Sequence, residues 1–150
     1  MVGTRLVKVV LLCASVVVTA VYSPAVVATA ASGTPVHIEA MTSFDPNVES
    51  TFVSNIDGCE SGVVEGGRAA IPQSRGQLGV FAGEKVFACD EGGGFTLLLS
   101  ARFPAGPGSV GRWAVVDSTG AMAGMHGTGS LLGFGFDGGV LDVYDGTLHS

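Results

Sequence analysis

From Arg112 to His149 the chain reads RWAVVDSTGAMAGMHGTGSLLGFGFDGGVLDVYDGTLH, and no helix can be built on that spacing of glycines. Glycine recurs at 120, 124, 127, 129, 133 and 135, between short runs in which apolar and polar residues alternate. Such a pattern suits antiparallel strands that curve tightly, because a missing side chain lets the sheet bend or another backbone approach. Of the 24 glycines in the 150 residues, all but Gly3 lie beyond residue 30. That load favours a small closed sheet over a flat one.

The first thirty residues read differently. Arg5 and Lys8 are followed by an uncharged apolar run from Val9 to Tyr22, a break at Ser23-Pro24, and the small residues Ala28-Thr29-Ala30. This is the layout of a secretory signal peptide, expected to form a signal helix and to be removed after Ala30. A membrane anchor from Val9 to Ala31 is the alternative; Pro24 and the Ala/Thr-rich end favour cleavage. A lipoprotein reading of Cys13 fails, because Leu12 stands where a small residue is required and Cys13 lies inside the apolar run. Residues 31–150 are then one domain's worth of chain.

Removal of the signal leaves five basic residues (Arg68, Arg75, Lys85, Arg102 and Arg112) against thirteen acidic ones, a net charge of −8. The lack of clustered cations argues against nucleic acid or anionic lipid as partners, and stable membrane insertion after cleavage is not expected. A homo-oligomer is left open. Two cysteines remain, Cys59 and Cys89, and an even count in an exported protein predicts a disulfide. Both sit beside acidic and glycine residues, which places them at strand ends or turns rather than in the core. Asp57, Glu60, Asp90 and Glu91 also argue against a reactive thiolate, which needs a cation nearby.

Strands are predicted over Val36–Thr42, Thr51–Ile56, Gly62–Ile71, Gly79–Phe81, Glu84–Cys89, Phe95–Phe103, Arg112–Val116, Ser130–Phe136 and Val140–Tyr144. The clearest is Phe95–Phe103, with Phe95, Leu97, Leu99, Ala101 and Phe103 on one face. About eight short strands with no persuasive helical period give an all-β fold, a sandwich or an up-and-down barrel, with the glycines favouring the barrel. Eight strands enclose just enough room for packed side chains or one small ligand.

The stretch from Trp113 through the glycine turn to Leu131, the strand Cys89-Asp-Glu-Gly-Gly-Gly-Phe-Thr-Leu and the closing Asp142-Val-Tyr-Asp-Gly-Thr-Leu-His resemble the allene oxide cyclase/dirigent-like barrel proteins, most of all a secreted bacterial branch found in actinobacteria. The resemblance covers residues 85–149 well and 33–84 loosely, and departs from the family at Asp117-Ser118 and Met122. It implies a single eight-stranded antiparallel barrel with one short helical turn near Gly120–Gly124, a hydrophobic ligand inside, and trimers or dimers in some members. No catalytic residue can be carried over, and likeness of fold is a weak warrant for function.

Candidate chemistry is sparse. His37, His126 and His149 lack metal-ligand spacing. His126 reads as a turn histidine without a nucleophile motif beside it. The Asp-Gly pairs at 57, 137 and 145 lack the spacing of a calcium loop and are explained by turn chemistry. No metal or cofactor is expected. Gly120, Gly124 and Gly127 are assigned to a structural turn. Trp113, Asp142 and Tyr144 are the candidate ligand-binding residues, although Trp113 reads first as core. Asp142 and Tyr144 share one face of their strand. Facing inward they would be the best functional candidates, but the more apolar Leu141 and Val143 predict that this pair faces out. Three roles follow: a barrel binding a small apolar ligand, a cyclase- or dirigent-like enzyme if Asp142, Tyr144, Arg102 and Glu65 line the interior, or a structural protein filled by its own side chains.

Overall fold

A computed structural model describes the backbone of residues 33–75, 78–103 and 108–150 and, outside 67–78, their side chains. The expected signal segment, residues 1–30, lies outside the described residues. Eight strands follow one another: β1 (Thr34–Ser43), β2 (Thr51–Ser54), β3 (Ser61–Arg75), β4 (Leu78–Cys89), β5 (Gly93–Phe103), β6 (Ser109–Gly120), β7 (His126–Phe136) and β8 (Gly139–His149). Each pairs antiparallel with its sequence neighbour, and β1 returns to β8 in unbroken register from Thr34↔Leu148 to Ser43↔Gly139. The sheet is therefore a closed barrel, as expected, in which each described strand has a neighbour on both sides.

Several boundaries differ from expectation. The two weak runs at Gly79–Phe81 and Glu84–Cys89 are one strand, because β4 pairs β5 continuously from Gly79↔Phe103 to Ala88↔Gly94. No helix occurs among the described residues, so the expected helical turn is replaced by tight turns closed by Met122 N–H to Thr119 O and Ala123 N–H to Gly120 O, each 3.1 Å. Gly120 and Gly124 belong to this connection with φ of +61° and +86°, where a side chain would be strained. Gly127 does not. It lies within β7, where a Cβ would run into the carbonyl oxygen of Thr147 on β8.

Alternation along the strands builds the interior. Val36, Ile38 and Ala40 of β1 and Phe95, Leu97, Leu99 and Ala101 of β5 point inward and are buried, while Phe103 ends its face at the rim and is half-exposed. Phe87 stands at the centre of an aromatic layer. Its ring stacks on Phe95 at 4.8 Å and meets Phe52 and Tyr144 edge-on at 5.1 and 5.7 Å. Such pairs add about 0.5–1.5 kcal/mol each beyond the area they bury. Trp113, 2 % exposed, fills the space over two glycines: a Cβ on Gly129 would come within 2.6 Å of the indole, and one on Gly146 within 2.5 Å. Gly129→Ala should therefore destabilise the barrel by about 1–3 kcal/mol through overpacking, measured by urea denaturation. A Gly129→Ala midpoint equal to the parent's would mean that both the indole and the Asp145 carbonyl, which the same Cβ would approach most closely, have room to move.

The connections at the two ends are unlike. One end carries the β2–β3, β4–β5 and β6–β7 connections, and there Cys59 is bonded to Cys89, with Cα atoms 5.0 Å apart. The expected positions at a turn and a strand end are correct, but both cysteines are buried in the core cluster, with Met122 in the same cluster and Ile56 and Met125 packed against it. The bridge supplies the apolar surface that the flanking Asp57, Glu60, Asp90 and Glu91 do not. A closed loop of 30 residues predicts a loss of about 3–4 kcal/mol on reduction in the chain-entropy model. A reducing agent should lower the melting temperature by many degrees, and coincident melts of oxidised and reduced protein would refute this.

Candidate functional site

The opposite end of the barrel is hollow. A cavity of about 460 Å³ opens there, walled by Phe81, Leu99, Ala101, Leu131, Phe136 and Val140, with Phe44 and Phe103 among its outer lining residues. Lys85, Ser109, Gly133 and Asp142 also line it. Its volume falls within the range of small-molecule sites, and its chemistry, mostly apolar with few polar groups, is typical of them.

The face of β8 is the reverse of the sequence expectation. Asp142 is 7 % exposed and Tyr144 is fully buried, so both point inward. Leu141 and Val143 are instead only partly buried, opposite Phe134 and Met41, and Leu132 and Glu39, respectively. Two interior partners account for the reversal. Tyr144 contributes its ring to the aromatic layer, and Asp142 meets a cation across the barrel.

That cation is Lys85, on the inward face of β4 and 9 % exposed. Its Nζ donates to Asp142 Oδ2 at 2.6 Å and to Thr42 Oγ1 at 2.8 Å, and Tyr144 OH donates to the same carboxylate oxygen at 3.4 Å. Burial foremost, and then the neighbouring Asp142 charge, hold the Tyr144 phenol far above its ordinary pKa. It is therefore a neutral donor throughout the physiological range. Sequence reasoning missed Lys85 and Thr42, yet a signal was present: Lys85 alternates in phase with Phe87 and Cys89, and Thr42 with Val36, Ile38 and Ala40. A lone cation on an apolar face calls for an interior anion, and Asp142 is the acid that alternates with an aromatic on a strand.

The remaining candidates lie elsewhere. Trp113 is in the core and is not among the cavity-lining residues; its Nε1 is buried with no hydrogen-bond partner among the described residues. Arg102 and Glu65 are exposed, not interior. His37 sits on the outer surface, its Nδ1 2.6 Å from Asp145 and its Nε2 3.3 Å from Glu39, and the hydrogen bond to Asp145 followed by that to Glu39 raises its pKa. His126 opens β7 rather than occupying a turn, and its ring stacks on that of His149 at 5.2 Å. No group of three or more potential metal ligands occurs among the described residues. Nor does any helix among them have the length and apolarity to cross a membrane, which leaves membrane-crossing by strands unaddressed.

No protein-family model, curated protein or solved structure matches the chain.

A buried ion pair of this kind is costly to break and less costly to replace. Lys85→Met or Asp142→Leu alone should each cost about 3–5 kcal/mol, because one charge is left without its partner, whereas the two together should recover most of that loss. Chemical denaturation of the four proteins tests this. Additive losses would show that the two side chains do not depend on each other.

Proposed function

We propose that this protein is an exported barrel that binds a small, largely apolar molecule in the cavity at its open end. The observation that carries the reading is the cavity itself: about 460 Å³ of aliphatic and aromatic wall above a packed aromatic layer, at the end away from the disulfide. The signal-like segment and the Cys59–Cys89 bond support delivery to an oxidising extracellular compartment, where such bonds persist. The resemblance of residues 85–149 to allene oxide cyclase/dirigent-like barrels supports the same picture of a hydrophobic guest within the sheet.

A cyclase- or dirigent-like enzyme is the second reading, and the observation favouring it is the buried Lys85–Asp142–Tyr144 cluster at the cavity. The chemistry of that cluster favours binding over catalysis. The Lys85 ammonium is engaged by two acceptors, and the phenol is neutral and hydrogen-bonded to an already paired carboxylate.

Titration with the neutral apolar dye Nile red tests the binding reading. The protein should bind one dye with an emission shift towards shorter wavelength. Ala101→Phe, which fills the cavity from an inward position on β5, should weaken binding at least tenfold with an unchanged far-ultraviolet spectrum. No binding by the parent, or equal binding by the variant, would overturn it.

A further inference from the structure

Resting on that binding reading, we infer that the cavity selects a neutral molecule carrying a hydroxyl group, which donates to the unused oxygen of Asp142. The carboxylate is used asymmetrically. Among the described residues, both of its hydrogen bonds, from Lys85 and from Tyr144, go to Oδ2. Oδ1 is directed at the backbone of Gly133 on β7, since a Cβ there would lie 2.7 Å from it and would collide with Ser109 Oγ. Asp142, Ser109 and Gly133 all line the cavity. Only a bare Cα at Gly133 leaves room for Ser109 Oγ and Asp142 Oδ1 to lie this close to it, so a hydroxyl and a charged acceptor stand side by side in the wall of an otherwise apolar chamber.

The charge balance narrows the class of ligand. Lys85 already neutralises Asp142, so a carboxylate guest would meet Oδ1 without a free counter-charge and be repelled. A cationic guest would meet Asp142 but also the Lys85 ammonium bonded to the same group. A pure hydrocarbon would strip water from Oδ1 and give nothing back, and an orphaned charged acceptor is costly. A neutral alcohol donates one hydrogen bond to Oδ1, can accept one from Ser109 Oγ, and buries its carbon skeleton against Leu99, Leu131 and Phe136.

Three probes with one skeleton test the inference: butylbenzene, phenylbutanol and phenylbutyrate, titrated at neutral pH against the intact barrel while the methyl resonances of Leu99 and Leu131 are followed by NMR. Phenylbutanol should bind about tenfold more tightly than butylbenzene and at least tenfold more tightly than phenylbutyrate. Gly133→Ala, whose methyl group would displace Ser109 Oγ and Asp142 Oδ1, should erase the alcohol's advantage over butylbenzene. Equal affinity of alcohol and hydrocarbon for the parent protein would overturn the inference and leave the binding reading standing. Tightest binding by phenylbutyrate would overturn it by showing that Lys85 is the recognising group. Failure of all three to bind would overturn both. The parent comparison decides the matter even if Gly133→Ala fails to fold.

Discussion

The ten residue pairs between β1 and β8 hold everything else in place. Until Thr34–Ser43 lies along Gly139–Leu148 the sheet has two open edges and no inside. Once it does, the inward residues of all eight strands face one another across the bore. The pairing is also the most non-local in the molecule, joining the first strand to the last, so its loop-closure entropy must be met by side chains that touch only after closure. Tyr144 on β8 does this most directly. Its register neighbour on β1 is Ile38, and its ring reaches Phe87 on β4, opposite in the wall.

Against that apolar background the Lys85–Asp142 pair is an anomaly of the sort that stability does not explain. Two charges removed from water cost more than a methionine and a leucine in the same volume would. Thr42 and Tyr144 soften the cost by giving each charge a second partner, but they do not remove it. A polar cluster retained at the floor of an otherwise greasy chamber is intelligible if the chamber has a guest whose orientation it fixes, since ligand sites typically combine apolar walls with a few placed polar groups.

Much of the architecture was legible because period-two alternation depends on few residues per strand. Val36, Ile38 and Ala40, or Phe95 through Ala101, state their inward face unaided. Cys59 and Cys89 were legible for another reason: with two thiols beyond residue 30 the pairing has one solution. What could not be read was β8. Leu141 and Val143 outweigh Asp142 and Tyr144 on any scale of single residues, and only the cation on β4 turns the strand over. That cation lies 57 residues away in sequence, and the face of one strand was settled by a residue on another. Lys85 was overlooked for the complementary reason. Read alone, a lysine between Glu84 and Val86 is a solvated surface residue, and its inward phase matters only when an acid waits across the bore.

The two ends of the barrel divide the work between them. At one, a disulfide, Met122 and the turns around Gly120 and Gly124 are packed into a solid base. At the other, Ala101, Gly133 and Gly139 line the chamber beside Leu99, Leu131 and Phe136, and the walls stand apart. The same residue type admits different neighbours along one strand. In β7, Gly129 yields its space to the Trp113 indole and the core closes over it, whereas Gly133, four residues on and in the same inward phase, yields its space to the polar Asp142 carboxylate and Ser109 hydroxyl. Rigidity at the base lets the mouth stay hollow: a barrel stapled at one end can leave apolar walls unpacked at the other without collapsing onto them, and a preformed chamber binds its guest without the entropic cost of first being made.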